Sequence, residues 1–274
     1  MTFSDRYGPW ALVTGASSGI GAEFARQLAG RGLNLVLVAR RQDRLQSVSE
    51  EISASGIATR IVVSDLTADN GCQRVINDTA DLNIGLLVNN AGYGMSGAYH
   101  QLDAARQVQM TVLNCVVPVL LTNHYLPCLR KRGFGGLIFL ASLAGYQATA
   151  SFATYGATKA FNLMLGEALW KECREYGVDA LAVSPGLTRT EFTDVANIRD
   201  AGLYRTATPE SLVRASLRNL GRKPSFVHSP LNKILAFSSR FLSRRAVIAI
   251  THASLRGRSM LSDSDSPPSP QEIE

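Results

Sequence analysis

Short apolar runs alternate along this chain with longer stretches in which apolar residues recur every three or four positions. The first pattern predicts strands at Trp10–Thr14, Leu33–Ala39, Thr59–Ser64, Ile84–Asn89, Gly136–Ala141 and Val178–Ser184. The second predicts helices at Gly21–Arg31, Gln42–Ser55, Asp69–Asp81, around residues 107–129, and at Tyr155–Tyr176. Leu33–Ala39 is nearly all apolar, as expected of a parallel strand covered on both faces. Strand and helix alternating at this period imply right-handed crossovers and an α/β doubly wound parallel sheet. Further on, Pro209–Leu220 reads as a helix capped by Thr208, with Leu212, Val213, Leu217 and Leu220 on one side. No repeat and no linker interrupts the chain before residue 186. The reading is one domain over residues 1–261: a core at about 8–192 and a C-terminal helical extension at about 193–261. Residues 262–274, acidic and proline-rich, are expected to be disordered.

Charge changes this picture in one region only. The 274 residues carry 28 basic and 22 acidic groups, net +6. Residues 1–198 hold 16 of each and are neutral, whereas residues 199–260 hold 12 basic and 2 acidic groups, a net +10. That segment has no basic stripe interleaved with aromatics and no recognisable binding motif, so no nucleic-acid partner is expected. Cys72, Cys115, Cys128 and Cys173 form no CxxC pair and have no histidine at ligand spacing. They read as reduced thiols of a cytoplasmic protein, and no metal site is expected. The N-terminus lacks the basic and apolar regions of a secretory signal. Residues 107–129 are uncharged and long enough to span a bilayer, but Gln107, Gln109, Asn114, Asn123, His124 and two prolines favour a buried helix of a globular domain.

Two motifs carry chemistry. Thr14-Gly15-Ala16-Ser17-Ser18-Gly19-Ile20-Gly21 follows a predicted strand and opens a helix. There a tight glycine turn brings backbone N–H groups and the positive helix end to a dinucleotide pyrophosphate. Tyr155 and Lys159 stand one helical turn apart, so a cation lies beside a phenol whose ordinary pKa, about 10, is too high for proton transfer at neutral pH. Ser142 lies just past a strand end, the sheet edge where ligands bind.

Together these residues resemble the short-chain dehydrogenase/reductases over about Trp10–Phe192. The glycine turn looks like that family's nucleotide turn, Asn89-Asn90-Ala91-Gly92 like its NNAG motif, and Pro185-Gly186 with Thr188 and Thr190 like its PGxxxT turn. Asn114, Ser142, Tyr155 and Lys159 match its catalytic tetrad. The resemblance implies a Rossmann fold and an oxidoreductase that interconverts a carbonyl and a secondary alcohol by hydride transfer. It implies Tyr155 as general acid and base, and Lys159 as the group that lowers the Tyr155 pKa and holds the nicotinamide ribose. Ser142 would orient the substrate oxygen, and Asn114 would hold a water linking Lys159 to solvent.

In such a site an acidic residue ending the second strand would select NAD. Here Arg40 and Arg41 stand there instead, and guanidinium groups suit the 2′-phosphate of NADP(H). Asp65, followed by Leu66, resembles the family position that meets the adenine. The expected cofactor is therefore NADP(H), with reduction the favoured direction. Substrate-side stretches hold Gly94, Met95, Tyr99, Tyr146, Phe152 and Phe192 with few charges, which favours an apolar or lipid-like small-molecule carbonyl or alcohol. Oxidation of a hydroxy acid or sugar alcohol, and a nucleotide-sensing regulator on the same scaffold, are the alternatives. Residues 231–260 mix apolar and basic positions, a pattern suited either to packing on the domain or to peripheral contact with an anionic membrane. A homodimer or homotetramer through the helices holding Asn114 and Tyr155 is the family expectation.

Overall fold

A computed structural model describes residues 1–186, 207–238 and 241–256, the last three as backbone only. Seven parallel strands form one sheet, in chain order β1 (Trp10–Thr14), β2 (Asn34–Ala39), β3 (Thr59–Val63), β4 (Ile84–Asn89), β5 (Gly135–Leu140), β6 (Val178–Ser184) and β7 (Ser225–Val227). In space their order is β3-β2-β1-β4-β5-β6-β7, so the winding reverses between β1 and β4. β1, β4 and β6 span the predicted residues, β2 and β3 are each one residue shorter at one end, and β5 lies one residue earlier at both ends. β7 was not expected; at three residues it is too short to leave an apolar pattern.

Helices cover both faces. α1 (Phe3–Tyr7), α2 (Gly19–Ala29), α3 (Gln42–Ser53), α4 (Gly71–Asn77), α5 (Ala104–Thr111), α6 (Val117–Arg132) and α7 (Ala153–Arg174) precede β6. α8 (Pro209–Asn219), α9 (Pro230–Ser238) and α10 (Arg244–Arg256) follow. Phe24, Leu28, Leu45, Leu212 and Leu217 pack one face of the sheet, and Val75, Leu121, Tyr125, Leu129 and Cys173 the other. Thr208 caps α8 as read from sequence, its hydroxyl accepting from the Ser211 N–H.

The helix that holds uncharged residues 107–129 runs from Ala104 to Arg132; its most apolar stretch has mean hydropathy 1.4, and it is the one span among the described residues long and apolar enough to cross a membrane. Its apolar stripe is nonetheless in use: Val117, Leu121, Tyr125 and Leu129, at helical spacing, are buried against the sheet. Between α5 and α6 the helix widens into a π turn, Val112–Val116. Wide turns of this kind recur at functional positions, and this one holds Asn114.

At the opposite, N-terminal edge of the sheet, buried Asp179 Oδ2 accepts from Arg6 Nε and from the Tyr7 hydroxyl, each at 2.7 Å. This ties α1 to the start of β6.

Candidate active site

The glycine turn leaves β1 at its C-terminal end. Gly15 has φ +67°, open to glycine at little cost, and a Cβ on Gly21 would overlap the Gly15 carbonyl. The Ser18 side chain stands at the N-cap of α2 without bonding its N–H groups, so it leaves the positive end of that helix uncapped. The hydroxyls of Ser17 and Ser18 instead accept from Arg41 Nη2 at 3.2 and 2.9 Å. Arg40 is exposed beside it. The cationic residues after β2 and the glycine turn are thus contiguous.

A single hydroxyl binds this turn to the next strand. Thr14 Oγ1 donates to the Val88 carbonyl at 3.2 Å and accepts from the N–H groups of Asn90 and Ala91, each at 3.0 Å. The Asn90 amide returns the contact, donating to the Thr14 carbonyl at 2.8 Å. Asp65 lies two residues beyond β3, its carboxylate accepting from the N–H and hydroxyl of Thr67 at 2.9 and 2.7 Å. Leu66 is buried in the core.

The second half of the site assembles on β5, α7 and the π turn. Ser142 follows β5; its Oγ accepts from the Ala144 N–H at 3.2 Å and is hydrogen-bonded to the Tyr155 phenol. Lys159 is buried behind Tyr155, its Nζ 5.9 Å from the ring centroid, and donates to the Leu140 carbonyl at 2.8 Å. Asn114 is also buried. Its Nδ2 donates to the Tyr93 carbonyl at 3.0 Å and to Thr158 Oγ1 at 2.9 Å, and its Oδ1 accepts from the Tyr93 N–H at 3.2 Å. Both amide hydrogens are therefore engaged, and only oxygen lone pairs remain to hold a water. Gly92 joins the two halves, since a Cβ there would lie 2.7 Å from Asn114 Oδ1 and 3.4 Å from Lys159 Nζ.

Burial sets the electrostatics. It pushes the Tyr155 phenol up to about 12, with the Ser142 hydrogen bond pulling the other way. It brings the Lys159 ammonium down to about 8. The lowering of Tyr155 expected from Lys159 is not found: burial and the Ser142 hydrogen bond are what act on the phenol, and burial prevails. The Tyr155 phenol is thus protonated at neutral pH.

Pro185 and Gly186 follow β6, the Pro185 carbonyl accepting from the Leu143 N–H at 2.9 Å, and Asn232 of α9 stands where Gly186 would carry a side chain. Met95, Phe152 and Tyr155 cluster with Tyr93 and Ala144, an apolar surface beside the phenol. Thr188, Thr190 and Phe192 lie outside the described residues. Sequence reasoning missed Thr158 and Asn162 as parts of the site, and it took Thr14 only as the first residue of the glycine motif. Nothing in a single sequence marks a threonine or asparagine that acts through backbone groups distant along the chain.

A doubly wound sheet with a glycine turn at its switch point and a Ser-Tyr-Lys cluster at the same edge defines a nicotinamide-dependent oxidoreductase. The short chain dehydrogenase family model matches residues 9–200, and the chain belongs to that family. It is 30% identical over 251 residues to the 7beta-hydroxysteroid dehydrogenase of Clostridium sardiniense, covering 91% of this chain and 96% of the relative. It is 36% identical over 220 residues to a very-long-chain 3-oxoacyl-CoA reductase of Podospora anserina, covering 78% of this chain and 64% of the relative. A solved 7beta-hydroxysteroid dehydrogenase superposes with TM-score 0.85 at 26% identity, covering 92% of this chain and 99% of that one. A short-chain dehydrogenase from Sphingobium yanoikuyae, solved with NADPH, superposes with TM-score 0.76 at 34% identity, covering 85% and 94%.

Proposed function

We propose that this enzyme reduces a bulky, apolar or lipid-like ketone to a secondary alcohol with NADPH, and runs the reverse reaction with NADP⁺. One observation carries the reading. A neutral Tyr155 phenol, hydrogen-bonded to Ser142 and backed by buried Lys159, faces an apolar cluster at the sheet edge that holds the glycine turn. Relatives named for hydroxysteroid and very-long-chain 3-oxoacyl substrates support the substrate class.

The residues present fit the cofactor. The uncapped N–H groups of α2, with Gly15, Ser17, Ser18, Gly19, Ile20 and Gly21, would receive its pyrophosphate, and Arg40 and Arg41 its 2′-phosphate. Asp65, Leu66, Asn90, Ala91, Gly92, Pro185, Gly186, Thr188 and Thr190 would line the remainder. When bound, the nicotinamide supplies or takes up the hydride. Ser142 orients the substrate oxygen by hydrogen bonding. Tyr155 gives its phenolic proton to that oxygen as negative charge develops. Lys159 then stabilises the phenolate until a proton returns, and Asn114 holds the turn beside it.

Turnover of bulky ketones, followed by NADPH consumption, tests the proposal. Tyr155→Phe should abolish it, and Arg41→Ala should raise KM for NADPH about tenfold while leaving NADH unaffected. Full turnover by the Tyr155→Phe variant would overturn the reading.

Two surfaces support wider proposals. Val116, Val119, Leu120, Phe161 and Met164 are exposed on the π turn, α6 and α7, and suit pairing with a second copy; light scattering reads the mass. On α9, Leu231, Ile234 and Phe237 are exposed opposite buried Ala236, next to Lys233, and Ile248 and Ile250 are exposed on α10 beyond Arg244 and Arg245. Contact of residues 231–260 with anionic lipid accounts for this mixture, and an Arg244→Glu/Arg245→Glu variant should lose co-sedimentation with anionic vesicles. Four unpaired thiols are in keeping with a cytoplasmic setting.

A further inference from the structure

Asn162 lies on α7, three residues beyond Lys159, and is only 3% exposed. Its Nδ2 donates to the main-chain carbonyl of Asn114 at 2.7 Å and to the Thr158 carbonyl at 3.2 Å. Both partners are carbonyl oxygens, so the amide has one orientation and Nδ2 cannot be exchanged with Oδ1. Oδ1 is buried and has no hydrogen-bond partner among the described residues. A buried amide oxygen is costly without a donor, and a position that tolerates one ordinarily gives it to water or to a functional group.

The bond to Asn114 has a structural reason. A π turn widens the helix and releases carbonyls from the regular ladder, and the Asn114 carbonyl takes the Asn162 amide as partner. The Asn114 side chain in turn holds the Tyr93 backbone and the Thr158 hydroxyl. Thr158 adjoins Lys159 on α7, and its hydroxyl donates to the Tyr155 carbonyl at 2.8 Å. The chain of contacts therefore runs from Asn162 through the π turn to the backbone that carries both proton-transfer residues.

We propose that Asn162 is a positioning residue for proton transfer. It fixes the Asn114 carbonyl in the π turn and offers its own Oδ1 as the buried acceptor beside that carbonyl, so that a proton donor or water is held next to Lys159. The inference rests on the reading of Tyr155 and Lys159 as the proton-transfer pair.

The test compares wild type, Asn162→Leu, Asn162→Gln and Tyr155→Phe in the alcohol-oxidation direction. The expected result for Asn162→Leu is a fall in kcat of between about 10-fold and 100-fold, as for other small misplacements of reacting groups. KM for NADP⁺ should stay within about twofold, because the contacts at the glycine turn are untouched. The acid limb of the kcat–pH profile should move to higher pH by about half a unit or more, because a less well solvated Lys159 stabilises phenolate less. Asn162→Gln, which keeps an amide, should recover part of both effects. A purely structural loss lowers the rate equally at every pH and leaves the limb in place. A Leu variant with an unmoved limb would overturn the role of Asn162 while leaving the Tyr155 reading intact, provided Tyr155→Phe is inactive. Activity in Tyr155→Phe would instead overturn the underlying reading.

Discussion

Replacing Lys159 by Met should make the protein more stable at neutral pH, although it removes a group the proposed chemistry needs. Burial takes the Lys159 ammonium from its usual 10.5 down to about 8. A base lowered in this way holds fewer protons folded than unfolded over the interval between those values, so stability rises with pH across it. Below pH 8 both states are protonated, and the folded one bears the whole cost of a buried cation. At ~1.4 kcal/mol per pH unit, that interval corresponds to ~3 kcal/mol. Methionine has similar bulk and no charge, but it leaves the Leu140 carbonyl without its donor, a loss of ~1 kcal/mol that does not depend on pH. The Met variant should therefore be more stable by ~2 kcal/mol at pH 7, and its advantage should be gone by pH 10. Urea titrations of nucleotide-free protein at the two pH values read the difference directly. An advantage of equal size at pH 7 and pH 10 would refute the reasoning, since only a titrating lysine makes it vary.

Three further outcomes follow from contacts described above. Thr14→Val removes one donor and two acceptor positions at once and should cost ~3 kcal/mol while weakening NADPH binding, whereas Thr14→Ser should be nearly neutral; denaturation midpoints and fluorescence titration compare them. Gly145→Ala would place a Cβ 2.8 Å from the Lys159 carbonyl and 2.9 Å from the Ala160 nitrogen, both backbone. It should cost ~1–3 kcal/mol and lower kcat more than it raises KM, as steady-state kinetics would show. Asp179→Ala strips the shared acceptor from Arg6 and Tyr7 and should cost ~2 kcal/mol of stability. Its kcat/KM should be unchanged, because the cluster lies at the opposite edge of the sheet from the active site.

What could be read before the structure was what repeats or what is spelled locally. Buried parallel strands betray themselves by unbroken apolar runs, and Ile84–Asn89 was bounded to the residue because polar loops flank it. The glycine turn and the Tyr155–Lys159 pair were legible because their chemistry fits within one turn of backbone. Asn162 was not, since its bond to the Asn114 carbonyl reaches another helix, and an asparagine in an apolar stretch looks like any satisfied amide. The π turn was equally hidden, because the extra residue it accommodates leaves the apolar spacing of α6 nearly undisturbed. The direction of the Tyr155 shift depends on how deeply the phenol is buried, which spacing alone does not contain.

The reversal of winding at β1 also bears on how the chain is made. As synthesis proceeds, β1 acquires its first neighbour when Asn34–Ala39 is delivered, but its other edge waits for Ile84–Asn89. Throughout that interval the nascent chain presents Trp10–Thr14, an apolar strand of high β-propensity, with one edge unpaired. Thr14 likewise has no partner at Asn90 until the chain is a third complete. Of the strands that end up paired on both sides, β1, beside the reversal, thus waits longest with an open edge, and it is the point at which a folding helper has most to protect.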